Sequence, residues 1–148
     1  MSGNDQGDDI RAIETIIARQ FQSLNWTSAK PGDWDTFAGD FYPDAALFPA
    51  ARPAKRQTVD TFVERIKGLS QTTLHSFNET MLGSKVHVFG NVAVALGVCE
   101  ILENDTDVTR NVEAFLLIKD DGAWRIVSQA WDRESESNPI PTYLMPRK

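Results

Sequence analysis

The 148-residue chain has a single cysteine, Cys99, and only two histidines, His75 and His87. One thiol excludes an internal disulfide and fits a reducing compartment, so a cytoplasmic location is expected. The two histidines and the cysteine show no metal-ligand spacing, and no metal is expected. There is no glycine-rich phosphate loop and no serine elbow, and no organic cofactor is expected. No apolar run approaches the length of a membrane span. The opening MSGNDQGDD lacks the basic-then-apolar order of a signal peptide. Positive charge is scarce: 15 Lys and Arg face 21 Asp and Glu, a net charge of −6 without a basic cluster. Nucleic acid and anionic membrane surfaces are therefore not expected partners.

What is present is the composition of a globular domain, 41% hydrophobic and 24% charged. A chain of this length is typical of one domain and buries roughly 68–70% of its unfolded surface. Residues 1–7 are expected to be disordered. Asp8 or Asp9 can cap a first helix whose apolar stripe runs Ile10, Ile13, Ile17 and Leu24, widened by Ile16 and Phe21. A short second helix follows Asp33, with Trp34, Phe37 and Phe41 on one side and Pro43 as its stop. A short strand, AALF, precedes a third helix capped by Thr58, with Val59, Phe62, Val63, Ile66 and Leu69 inward.

After that helix the apolar period changes from 3.6 to 2. Strands are predicted near 73–80, 84–89, 92–102, 109–119 and 123–132, joined by LGS, GN, ENDTD and KDDG. Helices first and antiparallel strands afterwards make an α+β domain over 8–133 with helices on one face of a curved sheet. Residues 134–148 read as an extended C-terminal arm.

Some positions break the pattern. Gln20 is polar within the stripe of the first helix; it either lies at the edge of the buried face or needs a buried partner. Glu113 and Gln129 share a side-chain parity with apolar neighbours, and Trp131 follows Gln129 on the same face. A polar pair beside an indole in an apolar cup has the make-up of a small-molecule pocket, while a solvated Glu113 near a strand start is the plainer account. Ala93, Ala95, Gly97 and Cys99 form a small-residue face on one strand. That face suits close approach of a second subunit, or tight packing inside the monomer. His75 on a strand is either structural or a base.

The order of these pieces, with FYPDAALF and DGAWRIV, resembles the nuclear transport factor 2-like superfamily in its SnoaL-like branch. The ending AWDRESESNPIPTYL is similar to a bacterial subgroup of it. The resemblance implies a cone: a strongly bent antiparallel sheet wrapped around three N-terminal helices, with a pocket between them. It also implies a homodimer through the outer sheet face, assigned here to Ala95, Gly97 and Cys99. Against ketosteroid isomerase, the second oxyanion-hole acid falls on Glu113, the oxyanion tyrosine near Gln20, and the general base on Pro49, which cannot move a proton. The isomerase reaction is therefore not expected to transfer. His75 is left as the substitute base, so Glu113 and His75 are the catalytic candidates. The expected ligand contacts are Gln20, Trp34, Arg52, Glu113, Gln129 and Trp131. The expected function is binding of a small, largely apolar ligand; the alternative is a small acid/base enzyme of isomerase, dehydratase or cyclase type acting on an apolar carbonyl compound.

Overall fold

The structure is a computed structural model that describes residues 3–146. Helix α1 spans Gly3–Ser23. It begins ahead of Asp8 and Asp9, so neither is its cap; of the segment expected to be disordered, 3–7 are helical, and 1–2 lie outside the described residues. Its stripe is buried as the periodicity requires: Ile13, Ile16, Ile17, Phe21 and Leu24 all belong to the core. Asp9 pins the start of the helix by accepting hydrogen bonds from Trp124 Nε1 at 2.9 Å and Lys119 Nζ at 3.0 Å.

Helix α2, Trp34–Gly39, is capped by Asp33, whose side chain accepts from the Thr36 amide. Helix α3, Val59–Ser70, starts with a capping box between Thr58 and Thr61. The strands are β1 (Phe41–Phe48), β2 (Gln57–Thr58), β3 (Phe77–Phe89), β4 (Val92–Glu103), β5 (Asp107–Asp120) and β6 (Ala123–Arg133). They form one six-stranded sheet in the order β2-β1-β6-β5-β4-β3. The sheet is mixed, because β1 runs parallel to β6 while the other pairs are antiparallel. With the three helices it makes the α+β cone that the sequence led one to expect. Asp121 and Gly122, at φ 52° and 77°, close the β5–β6 hairpin in the left-handed conformation that tight primed turns demand.

Two expectations are corrected. The strands predicted at 73–80 and 84–89 are one 13-residue strand, β3. LGS is an irregularity within it, where the pairing with β4 shifts between Met81 and Gly83. A bulge of this kind keeps the strand continuous while bending it. The small-residue face also points the other way. Ala93, Ala95, Gly97 and Cys99 face the helices, and a Cβ on Gly97 would lie 3.2 Å from Ile17 Cγ2. Small side chains there let α1 approach the sheet, so these residues are inside the monomer and cannot be a subunit contact. The outer face of β4 instead carries Val92 and Val94, 48% and 51% exposed.

The C-terminal arm folds back onto that outer face. Its short 3-10 helix, Thr142–Leu144, lies against β3 and β4 and buries Leu144. Gly83 is required there, because a Cβ would stand 2.1 Å from the Leu144 carbonyl oxygen.

Candidate functional site

The apolar interior between sheet and helices holds a polar island. Gln20, Glu79, Asn111, Glu113 and Gln129 are all at most 6% exposed. Strand register assembles it. Glu113 lies opposite Gly97 on β4 and Trp131 on β6, Phe115 lies opposite Gln129, and Cys99 lies opposite Asn111. Side chains one pair apart on the same face are diagonal neighbours, so Glu113 falls between Cys99 and Gln129. Glu79 reaches the group from β3, and Gln20 reaches it from α1.

The bonding is specific. Gln20 and Gln129 exchange amide hydrogen bonds of 2.7 and 2.9 Å. Gln129 Nε2 also donates to Glu113 Oε1 at 2.5 Å, and the Cys99 thiol donates to Glu113 Oε2 at 3.6 Å. Arg110 pairs with Glu100, and Arg52 donates to the carbonyls of Pro49, Ala50 and Ala51, so neither arginine partners Glu113.

Burial pushes the Glu113 carboxyl up to about 7, even though hydrogen bonds from Gln129, Cys99, Glu79 and Asn111 favour its ionised form. Burial, and then the charge of Glu113, push Glu79 well above the usual carboxylate range. The closeness of the two acids, whose ligand atoms lie within 4.8 Å of each other, raises Glu79 and lowers Glu113, so Glu79 is the one that holds its proton more firmly. Two buried carboxyls this close cannot both ionise cheaply, and their environments divide the roles. Burial and both carboxyls push the Cys99 thiol up, so it stays protonated.

A cavity of about 210 Å³ opens onto this island. Its walls are apolar and aromatic, with Leu47, Phe37, Phe62, Phe77 and Trp131; Arg65, Glu103 and Arg133 also line it. Trp131 is fixed edge-on to Phe62, ring centroids 5.6 Å apart. A larger hollow of about 460 Å³ lies on the outer sheet face, but none of the buried acids lines it.

Of the residues proposed from sequence, the fold brings Gln20, Glu113, Gln129 and Trp131 together around one cavity. It leaves the others apart. Trp34 packs on Trp26 with ring centroids 5.7 Å apart, Arg52 lies exposed in the loop after β1, and His75 lies exposed before β3, its backbone N–H bonded to Asn104 Oδ1 at 2.7 Å. None of these three lines the cavity, so His75 cannot act as its base. Sequence reasoning missed Glu79 and gave Asn111 no role. Glu79 alternates with Phe77 on the strand predicted at 73–80, but parity alone does not say which face of that strand is buried. The structure also brings together what spacing did not suggest: the ligand atoms of Glu79, Cys99 and Glu113 lie within 4.8 Å of one another. A cation held here would have to displace the protons that burial keeps on the thiol and on Glu79.

The architecture is that of the nuclear transport factor 2-like, or cystatin-like, fold. An NTF2-like protein of unknown function from Shewanella baltica superposes with a TM-score of 0.64 at 14% identity, over 87% of this chain and 96% of that one. A protein provisionally described as a scytalone dehydratase, from Novosphingobium aromaticivorans, gives 0.74 at 13% identity over 98% and 97%. Hexachlorocyclohexane dehydrochlorinase LinA-type3 from Novosphingobium barchaimii gives 0.72 at 11% identity over 90% and 92%. No protein-family model and no curated protein matches the chain. Among the described residues, no helix is long and apolar enough to cross a membrane.

Proposed function

We propose that the protein binds a small, largely apolar molecule in the cone cavity and grips its inner end with the Glu79–Glu113 pair and its amide partners. The observation that carries this reading is a buried acid pair, without an arginine partner among the described residues, on an aromatic-walled cavity. Buried carboxyls are costly, and a ligand that hydrogen-bonds to them offsets that cost. The volume, about 210 Å³, lies below the ~300–1,000 Å³ of pockets for drug-sized molecules, so the ligand is small. Titration with p-cresol, followed by NMR at the Gln129 side-chain amide and the Trp131 indole, tests it. Saturable shifts are expected, and they vanish in Leu74→Trp, which fills the cavity wall. A wild-type protein whose signals stay still at millimolar p-cresol sinks the reading.

The divided protonation of the two acids favours a second reading: an acid/base enzyme acting on an apolar carbonyl compound, with Glu79 as proton donor and Glu113 as acceptor. The LinA-type and dehydratase-type neighbours share the fold only. Exchange of α-hydrogens of cyclohexanone for solvent deuterium is the test. Exchange that is unchanged in Glu113→Gln rules this chemistry out.

The outer sheet face is proposed as the contact with a second copy of the chain, through Val94, Leu96, Leu116 and Tyr143 in place of the inward-facing residues named from sequence. A stable contact of this kind buries on the order of 1,600 Å² in total. Light scattering is expected to give twice the chain mass for the wild type and the single mass for Leu116→Lys. A monomeric wild type at tens of micromolar refutes it.

A further inference from the structure

Among the described residues, one fully buried side-chain atom of the polar island has no hydrogen-bond partner, Asn111 Oδ1. Asn111 is 6% exposed and lines the cavity. An acceptor buried in this way is incomplete without a donor. Glu113 beside it is also an acceptor, so the inner end of the cavity asks for a ligand O–H or N–H.

The outer end asks for the opposite. Arg65 and Arg133 both line the cavity and are exposed. Neither makes an ion pair among the described residues, whose cationic partners are Arg11, Arg19, Arg110 and Lys119. Arg65 is held with its guanidinium 5.6 Å from the centre of the Phe62 ring. Glu103 is the one acid at this end, so the arginines leave a net positive mouth. Arg133 lies directly opposite Asn111 across β5 and β6, and Glu113 is two residues deeper on β5. Asn111 is buried and Arg133 exposed, so from that shared row the long arginine carries its charge outward while the asparagine oxygen stays inside. The walls beside them are aromatic, which suits a flat ring.

We infer that the cavity takes a small, flat hydroxy acid, its hydroxyl donating to Asn111 Oδ1 and Glu113 and its carboxylate held at the mouth by Arg65 and Arg133. This rests on the cavity being a binding site, and it narrows the ligand from apolar molecules in general to those with a donor at one end and an anion at the other. Charge-assisted hydrogen bonds to guanidinium groups are the stronger kind, and planar carboxylates match their fork geometry.

Calorimetric titration of the full chain at pH 8, above the pH at which Glu113 ionises, with 4-hydroxybenzoate, benzoate and p-cresol tests it. Tighter binding of 4-hydroxybenzoate than of either partial probe, by about tenfold, is expected from one such contact. Arg133→Gln should remove its advantage over p-cresol and leave its advantage over benzoate; Asn111→Leu should do the reverse. The advantage over p-cresol should also shrink at high salt, because the mouth is exposed. Equal affinity of the three probes overturns this inference while leaving the cavity as a binding site. Binding of none of them overturns both. The comparison among probes on the wild type decides even if Asn111→Leu does not fold.

Discussion

Glu79→Gln should make the protein more stable at neutral pH, although it removes a buried side chain's native chemistry. In the folded chain Glu79 keeps its proton well above the usual range, because it is 6% exposed and faces Glu113. In the unfolded chain the same carboxyl ionises near 4.5. Between those limits the folded state holds one more proton than the unfolded state at this residue. Stability then falls as pH rises, by about 1.4 kcal/mol per unit for each such group. Glu113 behaves alike over the narrower window from 4.5 to about 7, where its full loss is about 3 kcal/mol. Glutamine at 79 keeps an N–H to donate to Glu113 and has no proton to retain. The variant should therefore gain on the wild type progressively as pH rises above 4.5. Urea denaturation at several pH values measures this, and the m-value should be unchanged. Equal pH slopes for the two proteins would mean that Glu79 ionises normally in the fold, and the retained-proton account would be refuted.

Gln20→Leu should cost about 1–3 kcal/mol, since it strands the buried amide of Gln129; urea denaturation that shows no loss would mean the amide pair contributes nothing. Gly97→Leu should lower stability by about 1–3 kcal/mol through collision with Ile17 and Phe21. Because Gly97 faces the helices, light scattering should show the mass of the folded variant unchanged; a lost dimer at full stability would restore the outer-face assignment. Cys99 should react with an aromatic disulfide reagent only on unfolding, since its thiol is buried and held protonated; rapid labelling of the native protein would contradict its place in the island.

Periodicity alone determined much of this protein. The stripe of α1, the caps Asp33 and Thr58, and the two-residue alternation of β4 to β6 are local properties, set by backbone geometry and by which side chains avoid water. Parity was enough to place Glu113, Gln129 and Trp131 on one face, because alternation is a property of any pleated strand. Tertiary structure decided which face that was. The stripe Ala93, Ala95, Gly97 reads equally as a subunit contact or as room for a helix; only the approach of α1, with Ile17 over Gly97, settles it. The partner of Gln20 was equally out of reach, since Gln129 is 109 residues away. So was the role of Glu79, which depends on a carboxyl two strands across the sheet. A lone acid in a strand reads as solvated. Its proton is retained only because folding removes water and sets a second acid beside it, and neither condition is written locally in the chain.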